Sequence, residues 1–86
     1  MDINQLIAIV KNKLQKQINL EFINIEDKSF LHKNHSGNQD GKFHLKITLK
    51  SLELKKMSKI ESNKMIYRVL DDEIKKFIHS IQILIT

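Results

Sequence analysis

Apolar residues recur at spacings of three and four along the first segment, where Ile3, Leu6, Ile7, Val10, Leu14 and Ile18 fall on one stripe and Lys11, Lys13 and Lys16 lie off it. That spacing predicts an amphipathic helix, and Asp2 stands where its N-cap is needed. The next run, Leu20-Glu21-Phe22-Ile23-Asn24-Ile25, is short and rich in β-branched and aromatic residues, so it predicts a strand. Further on, Phe43, Leu45, Ile47 and Leu49 alternate with His44, Lys46, Thr48 and Lys50. This is the pattern of a second strand with one buried face, and its parity sends His44 to the polar face. Residues 51 to 57 form a connector with room for one short helical turn. Ser58-Lys59-Ile60-Glu61 then fits a capping box, and Met65 or Ile66, Val69, Leu70, Ile74 and Phe77 carry one helical stripe beyond it. From His79 to Thr86, Ile81, Ile83 and Ile85 alternate with Ser80, Gln82 and Leu84, predicting a third strand. His79 shares the parity of those isoleucines and is expected at the entrance of the buried face.

The element order is therefore α-β-β-(turn)-α-β, a single α+β domain over residues 1–86 with no internal repeat or linker. The first two strands should pair as a hairpin. The second strand, the helix and the third strand form a βαβ unit, which makes strands two and three parallel with a right-handed crossover. The expected architecture is a three-stranded mixed sheet with helices packed on it. Residues 27 to 42, DKSFLHKNHSGNQDGK, hold both glycines of the chain and read as a long loop between strands, a kind of segment that often carries function. Parallel neighbours begin at the same end of the sheet, so His79 should lie near the start of strand two. The long loop delivers the chain to that same end. The topology thus lets His32, His35 and His44 approach His79.

Composition narrows the function classes. Eighty-six residues with 41% hydrophobic content suffice for one small core. The absence of cysteine removes disulfides, thiolate metal sites and thiol nucleophiles from this chain. No stretch approaches the roughly 20 apolar residues of a membrane span, and the N-terminus lacks a signal pattern, so a cytoplasmic setting is the expectation. The net charge of +5 invites a nucleic-acid reading, but Arg68 is the only arginine among fifteen basic residues. Abundant Lys, Ile and Asn together match an AT-rich coding bias. Arginine is the side chain preferred for bidentate phosphate and base contacts, so the lysine excess is read first as a solvated surface. Lys55, Lys56, Lys59, Lys64 and Arg68 still surround a turn followed by a helix, and they are the candidate nucleic-acid residues.

The remaining chemistry centres on the four histidines. Neutral imidazole is the commonest protein metal ligand, and His32 and His35 are spaced for shared coordination in a loop. The bland reading is equally concrete: two solvated loop histidines, an exposed strand residue at His44 and a satisfied core-edge histidine at His79. Spacing alone favours the bland reading, because no cysteine accompanies the pair. Asp71, Asp72 and Glu73 form an acidic run read as a solvated helix surface. Ser29, Ser36 and Ser80 lack a nucleophile-elbow context, and Gly37 and Gly41 do not make a phosphate loop. A non-enzymatic role is expected.

The motifs taken together resemble those of the BolA-like proteins over nearly the whole chain. Asp27-Lys28-Ser29-Phe30-Leu31-His32-Lys33-Asn34-His35-Ser36-Gly37 is similar to the family's D-E-S-x-x-H-x-G-H-x-G loop. Phe43 to Ser51 resembles its T/S-H-F-x-V-x-V-V-S strand. Met65 to Glu73 resembles the helix M-I-Y-x-x-L-x-x-E, and His79-Ser80-Ile81 sits where the family carries H-A-L. The resemblance implies an αββαβ fold related to the second type of KH domain. It also implies a partnership with a monothiol glutaredoxin, in which a [2Fe-2S] cluster is shared. The glutaredoxin supplies a cysteine and a glutathione thiolate, and the BolA-like protein supplies a C-terminal histidine and a loop ligand. Carried onto this chain, His79 is the first ligand candidate, His35 and His32 compete for the second position, and His44 comes last. Histidine ligation of such a cluster is chemically established. Two family features are replaced: R-H-R by Ser62-Asn63-Lys64, and the connector's F-x-G by Leu54-Lys55-Lys56. Both fall in the region of the family's DNA-binding surface.

Overall fold

A computed structural model describes residues 2–29 and 42–86. His32, His35, both glycines and most of the expected loop lie outside the described residues. Helix α1 (Ile3–Gln17) starts at Asp2, whose carboxylate accepts from the Gln5 N–H at 2.8 Å while the Gln5 side chain accepts from the Asp2 N–H at 3.1 Å. Two otherwise orphaned donors are thereby satisfied at the helix start. Ile18 leaves the helix in an extended conformation, and strand β1 (Phe22–Asp27) follows. It begins two residues later than Leu20, although the Glu21 N–H already donates to the Lys50 carbonyl at 2.8 Å.

Strand β2 (Phe43–Lys50) occupies the centre of the sheet, whose order is β1-β2-β3, with β3 spanning Ile78–Ile85. The β1–β2 pairing is antiparallel, with Ile23 opposite Leu49 and Ile25 opposite Ile47. The β2–β3 pairing is parallel, with Leu45, Ile47 and Leu49 beside Ile81, Ile83 and Ile85. These are the α+β architecture and mixed sheet that the alternation predicts. Leu45, Ile47 and Leu49 belong to one buried cluster with Leu6, Val10 and Leu14 of α1, and also with Leu54, Ile66, Leu70 and Ile78. The opposite face carries Asn24, Lys46, Thr48, Gln82 and Leu84, all half-buried or exposed.

Between β2 and β3 the chain makes three short helices: α2 (Leu52–Lys55), α3 (Lys59–Val69) and α4 (Asp71–Lys76). Ser51 caps α2, and Ser58 caps α3 by accepting from the Glu61 N–H at 3.1 Å. The Ser58 hydroxyl also donates to the Glu61 carboxylate at 3.1 Å, so the serine caps the helix as the signal predicts while the glutamate meets the serine side chain rather than its backbone N–H. The single helix expected through Phe77 is instead two. Leu70 leaves helical geometry (φ −99, ψ 17), although its N–H still donates to Ile66 and its carbonyl still accepts from Ile74. The ladder of hydrogen bonds continues through this departure. Asp71, Asp72 and Glu73 then occupy the first turn of α4, where negative charge faces the positive end of the helix dipole. Glu73 departs from the solvated reading: it is 6% exposed and pairs with Lys13 of α1 at 2.9 Å. That ion pair ties the last helix to the first.

Candidate functional site

The parallel strands open side by side, and their register carries an irregularity there. Phe43 faces Ile78, but His44 faces Ser80, so His79 is the extra residue of a β-bulge. A bulge re-aims the side chain it inserts. Ile78, not His79, takes the buried position at the start of β3 (3% exposed), and His79 is exposed. The parity argument that placed His79 at the entrance of the buried face fails because the bulge adds one residue and inverts the alternation.

His44 lies on the polar face, as its parity requires, yet it is 4% exposed. The reading of an exposed strand residue is therefore corrected: polar face and solvent exposure are different properties here. Hydrogen bonds from backbone and side chain fix the residue. Its N–H donates to Ser29 Oγ at 3.0 Å, its carbonyl accepts from the Lys28 N–H at 2.7 Å, and its Nδ1 is joined to Ser80 Oγ at 2.6 Å. Ser29 is itself held by an Asx turn, its N–H donating to Asp27 Oδ1 at 2.9 Å. The chain leaving β1 thus stays bonded alongside the start of β2 at His44. The ring of His79 meets the ring of His44 with centroids 4.9 Å apart and planes tilted by 58°, within the range of tilted aromatic contacts. A cleft of about 350 Å³ beside the pair is lined by Lys28, His44, Lys46, Ser80 and Gln82 above Leu45 and Ile81.

Ser29 and Ser80 are site residues that sequence reasoning misses, because it weighs them only as nucleophiles. The Asp27-x-Ser29 spacing signals the turn that places Ser29. No comparable signal exists for Ser80, because its pairing with His44 depends on the bulged register. The described residues bring His44 and His79 together, while the convergence of His32 and His35 on them lies outside the described residues. No hydrogen bond engages the His79 ring nitrogens among the described residues, and no three His, Cys, Asp or Glu side chains there gather into a metal site.

The lysine-rich candidates are spread over α2, α3 and the turn between them, and three of them line grooves. Lys55 and Lys59 line a groove of about 330 Å³ with Met57, Asn63 and the end of β3 from Ile83 to Ile85. Arg68 lines a different groove, of about 400 Å³, with Lys13 and Lys16 of α1. Lys56 and Lys64 are exposed. No described helix is long and apolar enough to cross a membrane.

The fold and site define a small α+β protein with a mixed sheet and a histidine pair at the mouth of its parallel strands. A family model for BolA-like proteins matches residues 14–86, and the chain belongs to the BolA-like protein family. It is 30% identical over 73 residues to the DNA-binding transcriptional regulator BolA of Haemophilus influenzae, a match covering 85% of this chain and 68% of that protein. It is 28% identical over 79 residues to SufE-like protein 1, chloroplastic/mitochondrial, of Arabidopsis thaliana, covering 86% of this chain but only 21% of that protein. Among solved structures, BolA1 from Arabidopsis thaliana superposes with a TM-score of 0.77 at 24% identity, over 92% of this chain and 87% of that one. BolA1 from Mus musculus gives 0.74 at 18% identity, over 92% and 62%. At these identities the superpositions establish the shared fold.

Proposed function

We propose that this chain is a non-enzymatic BolA-like partner of a monothiol glutaredoxin. The two share a bridging [2Fe-2S] cluster through histidine, in iron–sulfur cluster assembly and trafficking or in iron regulation. The observation that carries this reading is the exposed His79 imidazole, aimed outward by a bulge and braced by a buried second histidine. The donor chemistry fits a shared cluster. Iron of a [2Fe-2S] unit accepts imidazole in place of thiolate, and a chain without cysteine needs a partner for the thiolates. The described donors do not fit a self-contained zinc or iron–sulfur site, which takes four protein ligands.

In this reading His79 is the first ligand, and His35 or His32 supplies the second. His44 ranks last because its Nδ1 is already engaged by Ser80. When bound, the cluster supplies one-electron redox chemistry or a transferable iron–sulfur unit. The chain's own residues present an imidazole at a fixed strand end and hold the adjoining loop root through Lys28 and Ser29. Co-purification with a monothiol glutaredoxin and glutathione should give a coloured heterodimer whose visible spectrum changes in His79→Ala. An unchanged spectrum would remove the assignment of His79.

A second reading is a nucleic-acid-binding regulator. The name of the Haemophilus influenzae relative and the Lys55–Lys59 groove favour it. The separation of Arg68 from that groove and the scarcity of arginine weigh against it.

A further inference from the structure

An exposed imidazole on a strand end ordinarily exchanges among staggered rotamers on a fast timescale. Binding through such a side chain then costs the entropy of choosing one of them. His79 is not in that ordinary situation. It is the inserted residue of the β2–β3 bulge, and its ring leans on His44 at 4.9 Å between centroids. The wall it leans on is held from both flanking sides. His44 is 4% exposed, and its N–H and carbonyl are both bonded to the Lys28–Ser29 segment on the β1 side. Its side chain is tied to Ser80 Oγ at 2.6 Å. Ser80 directly follows His79, so the bulge that turns one imidazole outward also delivers the hydroxyl that anchors the other.

We propose that His44 is a positioning residue, whose buried ring, anchored by Ser80, holds the His79 imidazole in one orientation for ligation. The consequence for ligation rests on reading His79 as a cluster ligand, whereas the orientation of the free side chain does not. His44 then acts through shape: a ring at this place restricts His79, and the Ser80 hydroxyl keeps that ring from turning. Its chemistry as a donor is secondary. Ordering one side chain in advance accounts for roughly a two- to tenfold gain in retention of whatever His79 binds.

The test reads both levels on the full chain. Three-bond couplings to Cγ of His79 report its χ1 populations in the wild type, Ser80→Ala, His44→Phe and His44→Ala, with amide spectra confirming that each variant is folded. One dominant rotamer is expected in the wild type and in His44→Phe, partial averaging in Ser80→Ala, and full averaging in His44→Ala. Averaged couplings in the wild type, or unchanged couplings in folded His44→Ala, would overturn the proposal. In parallel, each variant is mixed with a monothiol glutaredoxin carrying a [2Fe-2S] cluster and glutathione, and the loss of visible circular dichroism is followed. His44→Ala should lose the signal about two- to tenfold faster than the wild type, and His44→Phe close to the wild-type rate. Should wild-type protein form no coloured complex while the couplings behave as expected, the cluster reading falls and the positioning role stands. Should the complex form and depend on His79, yet neither couplings nor decay respond to His44→Ala, the positioning role falls and the cluster reading stands.

Discussion

Ser51 and Ser58 offer the same atom in the same local role at two different depths, and deleting each hydroxyl measures what depth is worth. Both cap a helix: Ser51 Oγ accepts from the Leu54 N–H at 3.2 Å, and Ser58 Oγ from the Glu61 N–H at 3.1 Å. Ser58 is exposed, so water can take over the freed donor in Ser58→Ala, and the loss should be about 0.5–1 kcal/mol. Ser51 is fully buried, and its hydroxyl also donates to the Asn19 carbonyl at 2.9 Å, linking the start of α2 to the segment before β1. In Ser51→Ala the Leu54 N–H has no solvent to turn to, and a buried donor left without a partner costs about 1–3 kcal/mol. Adding the lost bond to Asn19 brings the expected total to about 2–3 kcal/mol. For a domain of this size each kcal/mol lowers the melting temperature by about 4–8 °C. Ser51→Ala should therefore melt roughly 8–24 °C below the wild type and Ser58→Ala roughly 2–8 °C below it. Urea unfolding followed by far-ultraviolet circular dichroism gives the free energies directly, with an unchanged slope confirming that only the folded state is affected. Equal losses for the two variants would refute the argument, because the cap distances are matched and what differs is burial together with the bond to Asn19.

The Lys13–Glu73 pair predicts a shape for the alkaline limb of stability. The hydrogen bond from Lys13 to Glu73 is the largest influence and raises the Lys13 pKa above its ordinary 10.5; desolvation opposes it, and the charges of Glu73 and Asp72 add smaller upward pushes. A raised folded-state pKa means that this contribution is fully present below the unfolded value and is lost as pH rises through the folded one. Unfolding midpoints should thus fall above about pH 10.5 more steeply in the wild type than in Lys13→Met, and superimposable alkaline limbs would refute the assignment. For the nucleic-acid reading, titration against duplex DNA at two ionic strengths should show affinity falling steeply with salt. The slope should become shallower by about 0.9 for each lysine–phosphate pairing that Lys55→Gln or Lys59→Gln removes. No binding at the lower ionic strength would eliminate that reading.

Period and parity make most of the architecture legible. The stripe from Leu6 to Ile18 and the alternation from Phe43 to Leu49 each place their residues in the core that forms. What periodicity does not show is where helical geometry is interrupted at one residue, as at Leu70. The apolar spacing from Ile66 through Leu70 to Ile74 is unbroken, because the hydrogen bonds through Leu70 are unbroken too. Nor does it show that Glu73, within a run of three acids, turns inward. That depends on Lys13 standing sixty residues away on a helix packed beside it.

The histidine site separates these two kinds of information further. Topology brings the starts of β2 and β3 together, and topology follows from element order, so the meeting of His44 and His79 is legible in the sequence. Their individual environments are not, since each depends on a one-residue irregularity in register. A strand's parity is conserved only while its partner keeps step. One inserted residue exchanges the fates of Ile78 and His79, burying the first and exposing the second. The same insertion sets Ser80 opposite His44, which converts a polar-face histidine into a buried and anchored one. A regular register would have paired His44 with His79 and left Ser80 beside Leu45 on the core face. The bulge therefore accounts at once for an outward imidazole, a fixed neighbour and a serine in the sheet's polar layer, which is why the site must be read as one unit.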